Sequence, residues 1–99
     1  EILATIPEAL SLEGNYPNPF NPVTTIRFGL PEPRNVRITV VNILGQEITE
    51  LINGWRDIGR HEVIWQGVDG TGKAVASGMY FTVLSDGKKI IVQKMLLLK

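Results

Sequence analysis

The chain has 99 residues, 43% of them apolar, with ten basic residues balanced by ten acidic ones and no cysteine. That length holds one domain, burying only about two-thirds of the surface its unfolded chain exposes, which leaves little room for a deep catalytic cavity. Zero net charge gives no electrostatic footprint for nucleic acid or anionic lipid, and the absence of cysteine removes disulfides, thiolate catalysis and cysteine-ligated metals.

The sequence starts at Glu1 without a charged-then-apolar leader and reads as a piece of something longer. Its most apolar stretch, residues 90–98, is interrupted by Gln93 and Lys94 and is too short for a membrane-spanning helix. Residues 1–14 read as the end of a linker that docks on the domain, with 9–12 able to form a short edge strand. The next segment is Asn15-Tyr16-Pro17-Asn18-Pro19-Phe20-Asn21-Pro22. Each proline fixes its own φ and restricts the residue before it, so a stiff irregular loop is expected, with Tyr16 and Phe20 pinning it to the core.

From Val23 the period is two. Ile26, Phe28 and Leu30 alternate with Thr25, Arg27 and Gly29 in a half-buried strand that Pro31 and Pro33 stop. Val36, Ile38 and Val40 form the next strand. Asn42-Ile43-Leu44-Gly45 reads as a turn with Gly45 left-handed, after which Ile48 and Leu51 lie on the return strand. Asn53-Gly54 is a further turn signal. His61, Val63 and Trp65 mark another strand, Asp69-Gly70-Thr71-Gly72 a tight turn, and residues 74–76 a short strand or bridge. Residues 79–84 are apolar on both faces, as a central strand should be, and a hairpin turn at 85–88 leads into the last strand. About seven short strands with a turn signal every ten residues or so predict an all-β, immunoglobulin-like antiparallel sandwich.

Catalytic, cofactor and metal ligands are not found. His61 is the only histidine and shares its strand face with Val63 and Trp65, where packing explains it better than base catalysis. The serines lack a nucleophile-elbow context, and the acids fall in turns or on outward strand positions. Calcium needs about six or more oxygen ligands, and in the Asp69 turn only one residue is acidic. Trp55, beside Arg56, is placed where it could be exposed and stack on a sugar, which keeps a carbohydrate-binding module as an alternative. A structural adaptor packing on a neighbouring domain is another.

The segment Tyr16-Pro17-Asn18-Pro19-Phe20-Asn21-Pro22, followed by Thr24, Ile26 and Phe28, resembles the opening of the type A C-terminal sorting domains of the type IX secretion system. It is also similar to the immunoglobulin-like domain of the flagellar hook-capping protein. The likeness continues through Val40, Asn42, Gly45 and Gln46, through Gly59, His61, Val63 and Trp65, and through Ser77, Gly78, Met79, Tyr80 and Phe81. It ends on Lys94, Met95, Leu97 and Lys99. The resemblance implies a non-catalytic sorting and attachment signal for residues 15–99. Its partners would be the secretion machinery at the outer membrane, a sortase-type peptidase, and an N-terminal cargo domain of the same polypeptide. The protein would then be secreted or held at the cell surface. Gly78, Tyr80, Lys94, Met95, Leu97 and Lys99 would carry recognition, and Tyr16, Pro17, Asn18, Pro19, Phe20 and Gly45 the structural motif.

A recognition strand must offer its edge to a partner without aggregating first. Lys88, Lys89, Lys94 and Lys99 around the last strand resemble the charged residues that blunt such edges, although Lys94 can equally be the solvent-facing member of a structural strand. An open terminal edge is also a route to a weak homodimer.

Overall fold

The alternating segments become seven antiparallel strands and no helix in a computed structural model that describes residues 7–99. The expectation for residues 1–6 lies outside the described residues. The strands are β1 (Ser11–Tyr16), β2 (Thr24–Leu30), β3 (Arg34–Asn42), β4 (Glu47–Arg56), β5 (Gly59–Trp65), β6 (Gly78–Ser85) and β7 (Ile90–Leu97). They form a three-stranded sheet in the order β1-β2-β5 and a four-stranded sheet in the order β4-β3-β6-β7. In immunoglobulin notation these are an A-B-E sheet and a C′-C-F-G sheet, so the sandwich read from the sequence is the fold observed.

The inward residues of the two sheets meet in two clusters. One holds Leu10, Phe28, Leu30, Val36, Ile38, Ile52 and Leu84. The other holds Phe20, Ile26, Val40, Trp65, Tyr80, Met95 and Leu97, with Trp65 between the rings of Phe20 and Tyr80 at centroid distances of 5.6 and 5.2 Å. Leu12, Leu51 and Val63 pack against both clusters and make them one core. Phe28, Ile38, Val40, Leu84, Met95 and Leu97 have no exposed surface, and each such side chain contributes about 1.5–3 kcal/mol by leaving water.

Three local features differ from the sequence reading. Strand β1 begins at Ser11 and runs through Asn15 and Tyr16, so it crosses the 14/15 boundary drawn between linker and domain. Tyr16 is 76% exposed, and Phe20, at 2%, pins the proline-rich loop without it. Asn53-Gly54 is not a turn: both residues lie inside β4, opposite Arg37 and Val36. The partner strand β3 supplies ladder bonds there in regular register, which outweigh the local turn preference. Of the short strand or bridge read at residues 74–76, the structure forms a bridge, between Val68 and Ala74.

The turn at residues 42–45 forms as read. Gly45 has φ +79°, and the Asn42 side-chain oxygen accepts from the N–H of Leu44 and Gln46 at 2.9 and 3.0 Å. At Gly67, φ is +69° and a Cβ would sit 2.9 Å from the Pro22 carbonyl oxygen, so only glycine lets the β5–β6 connection pass beneath the loop.

Candidate recognition surface on the terminal strands

Most of the residues singled out from the sequence meet around β7, the edge strand of the four-stranded sheet. Loop residues 17–23 fold back onto its second half. Phe20 N–H donates to the Leu96 carbonyl, and Leu98 N–H donates to the Phe20 carbonyl, both at 3.0 Å. The Asn18 side-chain oxygen accepts from Leu96 N–H at 3.1 Å. The loop therefore replaces a neighbouring strand for residues 96–98. It is itself braced from behind: Asn15 donates to Thr24 Oγ1, and the Thr24 hydroxyl donates to the Pro17 carbonyl at 2.8 Å. Thr24 is a buried hydroxyl with both roles filled, which explains the threonine that follows the prolines.

The other end of β7 is held by the β6–β7 turn. Asp86 Oδ1 accepts from the N–H groups of Lys89 and Lys88 at 2.7 and 2.9 Å, and Oδ2 meets the Arg34 guanidinium at 2.6 Å. The backbone bonds from Lys89 and Lys88, aided by Arg34, hold the Asp86 carboxyl at about 2.

Of the six residues expected to carry recognition, three are core. Met95 and Leu97 are fully buried, Tyr80 nearly so. Inside this fold their side chains face the core and set where the strand lies. Burial pushes the Tyr80 phenol up, and its hydroxyl donates to the Ala76 carbonyl at 2.7 Å. A tyrosine near the start of strand F that bonds back a few residues upstream is the tyrosine corner of immunoglobulin-like folds. Thr82 Oγ1 donates to the Met95 sulfur at 3.1 Å, which gives a buried hydroxyl its partner. Gly78 stands opposite Leu97, Lys94 opposite Phe81 with its side chain in solvent, and Lys99 N–H is held by Ser77 Oγ at 2.9 Å. Only Gly78, Lys94 and Lys99 of the six are reachable from outside. The motif residues Pro17, Asn18, Pro19 and Phe20 form the clamp, and Gly45 lies at the tip of the β3–β4 turn.

Sequence reading missed the outer face of the same sheet. Met79, Phe81 and Val83 on β6 stand beside Leu96, Lys94 and Val92 on β7, and Val41 lies beyond Phe81 on β3. In a two-layer sandwich this face normally alternates to polar residues. The doubly apolar pattern of residues 79–84 was its signal. Ile43 and Leu44, exposed at the rigid β3–β4 turn, were likewise read only as turn residues.

The remaining candidates are structural. His61 stacks on Phe28 at 5.3 Å and its Nε2–H donates to the Asp57 carbonyl at 2.8 Å, so packing and this bond account for the ring. Asp69 Oδ1 accepts from Thr71 Oγ1 and from the N–H groups of Lys73 and Thr71, bonds that hold its carboxyl below the usual range. Among the described residues no three His, Asp or Glu side chains gather in a metal-holding group. Trp55 is exposed on β4, while Trp65 is buried.

No curated protein matches this chain in sequence. Among solved structures it is similar to PorZ of Porphyromonas gingivalis, described as an essential surface component of the type IX secretion system, with 20% identity and a TM-score of 0.60. The alignment covers 93% of this chain and 12% of PorZ. It is also similar to dimeric latent PorU of the same organism, at 18% identity and a TM-score of 0.67, over 90% of this chain and 9% of PorU. Likeness at these identities establishes the sandwich, and this chain spans only a small part of either protein. The model of the secretion system C-terminal sorting domain matches residues 15–64, just over half the sequence, starting in the proline-rich segment and ending within β5. The resemblance carried by Tyr16, Pro17, Asn18, Pro19 and Phe20 is thereby borne out, and the chain belongs to the family of secretion system C-terminal sorting domains.

Proposed function

We propose that the domain is a non-catalytic sorting and surface-attachment signal of the type IX system, carried on a larger exported protein. In this reading residues 15–99 are the signal, and residues 1–14 are the docking end of the linker from an N-terminal cargo domain. The secretion machinery at the outer membrane reads the folded sandwich, and a sortase-type peptidase then removes it, leaving the cargo secreted or at the cell surface. The observation that carries the proposal is the family match over residues 15–64. It is supported by a terminal strand presented at a sheet edge and clamped by the motif residues themselves. Gly78, Lys94 and Lys99 are the members of the expected recognition set that a partner can touch. Tyr80, Met95 and Leu97 act by placing them.

The test is export of a periplasmic reporter fused to residues 1–99 in a host with the type IX machinery, in the same host lacking it, and without the tail. The reporter should reach the surface or medium only with both tail and machinery. Equal export without either one overturns the reading. Deleting residues 78–99 is a poor test, because it removes β6 and β7 together with Tyr80, Leu84, Met95 and Leu97 from the core. Exposed substitutions such as Lys94→Glu leave the core intact and report on recognition.

A further inference from the structure

The clamp covers only part of the β7 edge. Leu96 directs both its N–H and its carbonyl outward, to Asn18 and Phe20. Outward-facing positions alternate along an antiparallel strand, so the next ones back are Lys94, Val92 and Ile90. Among the described residues nothing pairs with the outer side of these three. The β6–β7 ladder runs from Ser85 opposite Ile90 to Gly78 opposite Leu97 without a register shift, so the open segment is straight and unbulged. Its side chains are apolar in the middle, with Ile90 67% and Val92 56% exposed. Its ends are cationic: residues 87–99 hold Lys88, Lys89, Lys94 and Lys99 and no acid, in a chain with equal numbers of acidic and basic residues.

We propose that residues 90–94 of β7 accept one extended segment of a partner protein as a fifth strand, and that this segment is apolar at its centre and acidic at both ends. The inference rests on the sorting reading for who the partner is, but its chemistry comes from the edge alone. Three outward residues, unpaired among the described residues, provide backbone donors and acceptors that only another extended backbone satisfies in register. A lipid surface would meet the lysines and leave those groups unpaired. A second copy of this chain fits poorly as well. Antiparallel self-pairing centred on Val92 sets Lys94 of each copy beside the Lys88–Lys89 end of the other, and like charges across a ladder oppose pairing. Acids at both ends turn the same lysines from a barrier into a selectivity filter.

The probe is a blocked nonapeptide with two glutamates at each end of a Val-Thr-Val-Thr-Val centre, compared with the same peptide carrying lysines at the ends. Amide hydrogen exchange and nitrogen–proton NMR shifts of the 99-residue domain report binding. The glutamate peptide should protect the Val92 and Lys94 amides and bind about tenfold more tightly than the lysine peptide, a ratio three or four exposed ion pairs can supply. Val92→Pro removes one outward N–H and no bond to β6, so the domain should keep its fold and lose the peptide. If that variant does not fold, Lys94→Glu decides instead, and should shift the preference toward the lysine peptide. No protection at millimolar glutamate peptide overturns the proposal, as does equal binding of both peptides. So does concentration-dependent dimerisation that protects the same amides, or protection seen only with phosphatidylglycerol vesicles. Loss of export on removing residues 1–99, combined with any of these, would leave the sorting function standing and remove the edge inference alone.

Discussion

The four-stranded sheet has two edges, and they are finished differently. Strand β4 is bulged twice against β3, and its first half is laced by Arg37, which donates to both Glu47 and Glu50. Those bonds to Glu50 and Glu47 raise the Arg37 guanidinium and lower the Glu50 carboxyl. Twist, bulges and fixed charge of both signs make β4 a poor template for another strand. Strand β7 has no bulge and one sign of charge, and is held at its two ends by Asp86 and by the proline-rich loop. A sheet that only needed protection from aggregation could treat both edges like β4. Strand β7 instead leaves its centre unpaired among the described residues, and that is the stretch the proposed fifth strand would use.

Removing the clamp should break this contrast most strongly. Phe20→Ala empties a fully enclosed site beside Trp65 and releases residues 96–98, and should cost about 3–5 kcal/mol by urea denaturation. Amide exchange at Leu96 and Leu98 should accelerate more than at Ile38; uniform acceleration would show that the loop holds the whole core and not this edge. The opposite end of β7 answers to acid. Asp86 is held at about 2, below its unfolded value, so its stabilisation is present above about pH 4 and is lost as pH falls toward 2. Its carboxylate is almost enclosed, and the contribution is about 1–2 kcal/mol. Asp86→Asn should flatten the pH–stability curve between about 4 and 2, and an unchanged curve would remove Asp86 from the account. Tyr80→Phe takes the corner hydroxyl from Ala76 and should cost about 1 kcal/mol in thermal unfolding without altering peptide binding at β7. Arg37→Ala acts on exposed ion pairs and should leave the melting midpoint within about 2 °C. Its effect should instead be faster aggregation through β4, read by light scattering.

Much of the fold was legible because burial imposes period two on β2, β3 and β5, where one sheet face is inside and the other in water. Strand β6 was legible as a strand because it is apolar on both faces, but that pattern did not say that its outer face stays uncovered among the described residues. Gly45 and Asp69 were readable because Asx-type turns are settled by bonds within four residues. Asn53-Gly54 misled because a ladder with β3, invisible locally, decides its conformation. Tyr16 and Phe20 could not be told apart as anchors, since their order in a proline-rich loop does not say which turns inward. The recognition set was least legible. Met95, Tyr80 and Leu97 were expected to carry recognition, and the structure places their side chains in the core. The outward positions Ile90 and Val92 follow only from knowing which side of β7 the loop occupies.

Asn18 and Leu96 are 78 positions apart in the sequence, and their hydrogen bond completes the outer side of β7. A chain stopped anywhere before residue 96 therefore has the opening motif but nothing for it to hold. A chain whose core has not closed has the last strand but no defined edge. Contacts this distant form late, because the loop they close must be ordered first. The clamp thus ties display of the edge to the completion of everything between its two halves, so the finished edge exists only where the whole span from residue 18 to residue 96 has been made and packed.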